Sequence, residues 1–159
     1  MASFVGPGES IADIGADHGY LPLWLVREGI SPFAVLTDVQ PGPLEKCRAS
    51  VEKNLGLVSP EDSGIELRLG DGLAVLKSGE VDVIVIAGMG AETIVSILAA
   101  DTGKARSFGK FILQPRTKTD VLLKWIRDNG WEILSETVAP EKGRLCDIIA
   151  CRPGGNYDD

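Results

Sequence analysis

Strand and helix signals alternate along this chain of 159 residues, and no other feature restricts the fold as much. The stretch from Val81 to Ala87 is almost continuously apolar, as a central parallel strand covered on both faces must be. Similar short runs predict strands at Ile11–Ile14, Phe33–Thr37, Ile65–Leu69, Lys110–Leu113, Trp131–Thr137 and Leu145–Cys151. Ile65, Leu67 and Leu69 alternate with Glu66 and Arg68, so the third strand reads as half-buried. Helices are predicted at Pro22–Glu28, Leu44–Asn54, Glu92–Ala100 and Asp120–Asn129, the last with Thr119 as its N-cap. The expectation is seven strands with helices between the first six. Ala139–Gly143 is too short for a crossover helix, so the last two strands should form an antiparallel hairpin. This pattern predicts a three-layer, Rossmann-like α/β fold around a mostly parallel seven-stranded sheet. Residues 1–152 read as one domain and residues 153–159 as a polar tail.

In such sheets ligands bind beyond the carboxyl ends of the strands. Here the first strand runs through Asp13 into a loop with Gly15, Asp17, His18 and Gly19, and Pro22 sits in the helix that follows. A dinucleotide loop brings glycine backbone against a pyrophosphate, and a carboxylate there is repelled. Beside an ammonium or sulfonium the same carboxylate is attracted. The loop with Asp17 therefore suits S-adenosylmethionine better than NAD. The second strand leads to Asp38, 23 residues beyond Gly15, the spacing of an acid that accepts ribose hydroxyls. The third leads to Gly70-Asp71-Gly72, where a carboxylate can accept from an adenine amino group. The fourth leads to Ala87-Gly88-Met89-Gly90, a small-residue loop with room for a substrate beside the cofactor.

Bulk properties limit the partners. A net charge of −7 disfavours generic nucleic-acid binding, so any RNA contact must rest on a local basic patch. The candidates are Arg116, Lys118, Lys124 and Arg127, with Lys104, Arg106 and Lys110. No apolar run approaches the roughly 18–20 residues that span a membrane, and no secretory signal is evident at the N-terminus. Cys47, Cys146 and Cys151 include no C-x-x-C pair and read as free thiols of a reducing cytosol. One histidine and three dispersed cysteines do not make a metal site.

The strings Asp13–Pro22, Leu69–Leu73 and Ile86–Gly90 resemble the bacterial TrmK family, as do Ile112–Pro115, Leu123–Trp125 and Asn129–Trp131. The resemblance implies a class I S-adenosylmethionine-dependent methyltransferase acting on N1 of the adenosine at position 22 of tRNA. It implies a cofactor set of Asp13, Gly15, Asp17, Gly19, Tyr20, Leu21, Asp38, Val39, Asp71, Gly72, Ala87, Gly88 and Met89, with Asp17 and His18 at the reacting centre. Asp17 would hold the cofactor's ammonium or lie close to the target base, and Met89 would border the base. The family places a helix before the sheet, of which Met1–Val5 reads as the tail. It also places a helical segment after the last strand, which is expected to be missing here. Arg116 stands where the family usually has Asn. Two other readings stay open from sequence: a small-molecule or protein methyltransferase, favoured by the acidic charge, and a non-catalytic cofactor-binding module. An NAD-linked oxidoreductase is disfavoured by Asp17.

Overall fold

The computed structural model describes residues 1–15, 20–55, 63–141 and 143–154. Its elements run β1 (Ile11–Ile14), α1 (Tyr20–Arg27), β2 (Ala34–Asp38), α2 (Pro41–Leu55), β3 (Ile65–Leu69) and β4 (Val83–Met89). They continue through α3 (Ala91–Ala100), α4 (Thr102–Ala105), β5 (Lys110–Pro115), α5 (Thr119–Asp128), β6 (Glu132–Glu141) and β7 (Arg144–Arg152). Among the described residues seven strands form one sheet in the order β3-β2-β1-β4-β5-β7-β6. The first five are parallel, and β7 pairs antiparallel with both β5 and β6.

Strand alternation divides the core in two. Ala12, Ile14, Val35, Ile84, Ile86, Phe111 and Leu113 pack with Ile94 and Leu98 of α3 and Leu122 and Ile126 of α5. Ile11, Ala34, Leu36, Val83, Val85 and Ile112 pack on the other face with Leu25 of α1 and Cys47 of α2. The central strands are therefore apolar on both faces, apart from the buried polar residues Asp13 of β1, Thr37 of β2 and Gln114 of β5. Burial pushes the Cys151 thiol up to about 12, so this cysteine is an inert core residue.

Five local expectations need correction. No α-helix links β3 to β4 among the described residues; a four-residue 3-10 turn, Gly72–Val75, stands there. The β4 strand begins two residues later than its apolar run and continues through a bulge between Ala87 and Met89. Thr119 is the first residue of α5 and not its cap, because its hydroxyl donates to Asp147 Oδ2 at 2.7 Å; Lys118, with φ of 55°, takes the cap position. Leu69 is exposed, since β3 is an outer strand of the sheet and its end opens to solvent. The hairpin is also longer than expected. Ala139, Pro140 and Glu141 pair with Cys146, Leu145 and Arg144, and Pro140 is tolerated because β6 is an edge strand.

Candidate active site

A cavity of about 840 Å³ opens beyond the carboxyl ends of β1, β2, β3 and β4, against the flank of α3. Ile14 and Gly15 come from the end of β1, and Thr37, Asp38 and Val39 from the end of β2. Gly70 through Ala74 follow β3, and Ala87, Gly88 and Met89 end β4. Thr93, Ser96 and Ile97 present one helical face of α3, and Lys104 and Arg116 complete the rim.

Backbone constraints hold these strand ends in place. Gly15 has φ of 72°, a conformation that favours glycine, and its N–H donates to the Thr37 carbonyl at 2.9 Å. A Cβ on Gly70 would fall 1.9 Å from Val75 Cγ1, so only glycine lets the 3-10 turn fold back against it. The Gly70 N–H donates to the Asp38 carbonyl at 2.8 Å, which ties the loop bearing Asp71 to the end of β2. Asp38 is held in turn by the Gln40 N–H, which donates to its Oδ1 at 3.0 Å. At the other end, the Arg116 N–H donates to the Met89 carbonyl at 2.8 Å and the Ala91 N–H to the Thr117 carbonyl at 3.1 Å. These two bonds tie the loops after β4 and β5 together.

The wall is polar where it faces β2 and β3. Two carboxylates, Asp38 and Asp71, stand on it, and Lys104 Nζ lies 3.4 Å from the Leu73 carbonyl. Thr37 is fully buried in the wall, and among the described residues its hydroxyl has no hydrogen-bond partner. A buried unpaired hydroxyl is costly unless a ligand completes it. Arg68 of β3 stiffens the same wall from behind. Its Nη1 donates to the Val75 carbonyl at 2.9 Å and to Glu80 Oε1 at 2.8 Å, and Glu66 and Glu80 both pair with the guanidinium. The Arg68 hydrogen bond lowers the Glu80 carboxyl to about 2.

Of the residues singled out from sequence, Gly15, Asp38, Val39, Asp71, Gly72, Ala87, Gly88 and Met89 line this one cavity. Asp13 instead lies buried inside β1, between Leu36 and Val85 of its neighbours. Tyr20 is exposed at the start of α1, and Leu21 packs on the core beneath α1 and α2. Asp17, His18 and Gly19 lie outside the described residues. Sequence reasoning missed Thr37, Thr93, Ser96 and Ile97. A threonine near the end of an apolar strand, and two hydroxyl residues three apart on a largely apolar helix, were the available signals. Among the described residues no group of three His, Cys, Asp or Glu stands close enough to hold a metal ion, and no helix is long and apolar enough to cross a membrane.

The basic candidates separate clearly. Lys104 and Arg116 line the cavity. Lys118 is paired to Glu92 and Lys124 to Asp128, each at 2.6 Å, and the pairing with Glu92 raises the Lys118 pKa. Lys110 opens β5, at the opposite edge of the sheet, and pairs with Glu9 at 3.0 Å. Arg106 donates to the Gly154 carbonyl at 2.7 Å.

Fold and cavity together define a methyltransferase domain, and the family profile of that description matches residues 1–149. The tRNA (adenine(22)-N(1))-methyltransferase of Bacillus subtilis is 34% identical over 154 residues, covering 97% of this chain and 63% of that protein. A candidate tRNA (m1A22) methyltransferase of Streptococcus pneumoniae, solved in complex with S-adenosyl-L-methionine, is 34% identical with a TM-score of 0.87. That match covers 99% of this chain and 72% of the other. M. capricolum TrmK, solved with the cofactor product S-adenosyl-homocysteine, is 27% identical with a TM-score of 0.82, covering 99% of this chain and 69% of the other. The chain belongs to the TrmK family of methyltransferase domains. It spans slightly less than two thirds of the length of the Bacillus subtilis relative.

Proposed function

We propose that residues 1–152 form the catalytic domain of a cytoplasmic, S-adenosylmethionine-dependent methyltransferase that modifies N1 of an adenosine in tRNA, the adenosine at position 22. The observation that carries this reading is the single cavity joining the acidic ends of β2 and β3 to Gly15 and to the Ala87–Met89 loop. Asp38 and Asp71 line that cavity, and in this reading Asp38 accepts ribose hydroxyls and Asp71 accepts from an adenine amino group. Gly15 would let backbone approach the methionine portion. Val39 and Gly72 border the adenine. The two carboxylates and the glycine-bearing strand ends suit the hydroxyl and amino donors of the cofactor's adenosine.

When bound, S-adenosylmethionine supplies an activated methyl group on a sulfonium. The protein supplies approach and alignment, which account for most of what this transfer needs. The Ala87-Gly88-Met89 bulge leaves room for a base beside that methyl group. The base must leave its stack to enter, as bases do in other enzymes that act on them. Asp17 and His18, in the loop between β1 and α1, are assigned to the reacting centre. Arg116, on the cavity rim, is assigned to a phosphate of the incoming strand.

The test incubates the protein with S-adenosylmethionine and unmodified tRNA and maps methylated nucleosides by mass spectrometry. Methylation at N1 of the adenosine at position 22 is the expected result. The net charge of −7 favours a second reading, a methyltransferase for a small molecule or a protein. Tight cofactor binding with no methylated nucleoside in that assay would favour the second reading.

A further inference from the structure

Gln114 is an anomaly in the sheet. It belongs to β5 at the edge where the cavity opens, pairs in register with the cavity-lining Ala87, and is only 6% exposed. Among the described residues its amide makes no hydrogen bond. Alternation places it on the face of Ile112, toward the α1 and α2 layer, beyond the last apolar rung of the strand. A carboxamide offers two donors and two acceptor sites, and the Gln114 amide, which is not among the fully buried unpaired atoms, keeps a small accessible surface at the strand end where a ligand can meet it. A leucine of similar size would be cheaper there if folding were the only requirement. The neighbouring chain is rigid, because the Arg116 N–H is bonded to the Met89 carbonyl two residues on.

Resting on the proposed adenine-N1 transfer, we infer that Gln114 is a specificity-determining residue whose amide reads the N6–N7 edge of the target adenine. A glutamine amide pairs with that edge in a bidentate way: its oxygen accepts from N6–H and its NH₂ donates to N7. This edge of adenine offers both a donor and an acceptor while N1 stays free. In the transfer, the N1 lone pair forms the new bond to the methyl carbon as the carbon–sulfur bond breaks and its electron pair returns to sulfur. The positive charge passes to the adenine and is shared with N6. An amide oxygen on N6–H therefore bonds more strongly as the reaction proceeds, which raises the rate as well as the affinity. A guanine would set its O6 against that oxygen. Arg116, two residues on, would hold the phosphate of the same nucleotide, so one strand end would carry a base contact and a backbone contact.

The experiment compares the full chain with its Gln114→Leu variant on two tRNAs, one with adenosine and one with 7-deazaadenosine at the target position. Thermal melting and S-adenosylmethionine titration are run in parallel. Gln114→Leu should melt no lower than the parent and bind the cofactor equally well, while kcat/KM on adenosine falls about tenfold to hundredfold. The parent should lose activity on the 7-deaza substrate, and the variant should treat both substrates alike. A variant that still distinguishes the two, or keeps parental turnover, overturns the inference. A lower melting point or weaker cofactor binding also overturns it, by making Gln114 a structural residue. If the parent methylates no adenosine, the proposed function itself fails, a result separate from these.

Discussion

The terminal methyl of Met89 lies 2.4 Å from the point where a Cβ on Gly15 would stand, so the end of β4 closes directly over the end of β1. Gly15 is also held at φ of 72°. Gly15→Ala must therefore accept a left-handed backbone and displace Met89. The expected cost is about 1–2 kcal/mol of stability, read from urea unfolding. Cofactor affinity should fall at least about tenfold by calorimetry, because the same backbone must approach the ligand. Adding Met89→Ala relieves the collision but not the backbone strain, so stability should return only in part.

Asp38 offers a cleaner test of ligand recognition. Its Oδ1 accepts from the Gln40 N–H, and Asp38→Asn keeps an oxygen for that turn while removing the charge. Stability should stay within about 0.5 kcal/mol of the parent. Cofactor affinity should drop by about tenfold to hundredfold, the equivalent of about 1.5–3 kcal/mol for hydrogen bonds to a charged group. Unchanged binding would remove Asp38 from the ribose site.

Among the described residues Arg116 has no ion-pair partner and Lys124 has one, so the two separate a free cation from a paired one. Arg116 is exposed on the cavity rim, whereas Lys124 is paired to Asp128 at 2.6 Å. Arg116→Ala should weaken tRNA binding and reduce the slope of log affinity against log salt by about 1. Lys124→Ala should change neither measurably. Equal effects from the two would mean that binding reads only overall charge.

The sequence made the sheet legible because parallel strands buried on both faces write themselves as apolar runs. Ile11–Ile14 and Val83–Ile86 could hardly be anything else. Asp38, Asp71 and Met89 were legible for a related reason, since a polar or small residue ending such a run marks a strand end. The α3 wall was not. Thr93, Ser96 and Ile97 belong to the site because α3 packs along the cavity, a relationship between elements at which the Thr93–Ser96 spacing only hints. Thr119 misled for a similar reason: its hydroxyl has a distant partner, Asp147, that outcompetes the helix end. The 3-10 turn after β3 was missed because four residues show no periodicity, though the close approach of Gly70 to Val75 depends on it.

Glu80 links acid stability to the wall of the cavity. Its carboxyl sits at about 2, lowered chiefly by the hydrogen bond from Arg68, against an ordinary value of 4.5. A carboxyl lowered in the folded state contributes stability that is complete above the ordinary value and is lost as pH falls toward 2. The contribution is at most about 3 kcal/mol, from the size of the shift. Glu80→Gln should lower the urea midpoint at pH 7, and the gap between variant and parent should close as pH falls from about 5 toward 2. Because Arg68 also donates to the Val75 carbonyl, a looser Arg68 should slacken the turn that follows Asp71. Cofactor affinity should therefore fall by a few fold in Glu80→Gln at pH 7, although Glu80 itself is not among the residues that line the cavity. A parallel pH dependence of stability in the two proteins would mean that the Arg68–Glu80 pair contributes nothing to folding.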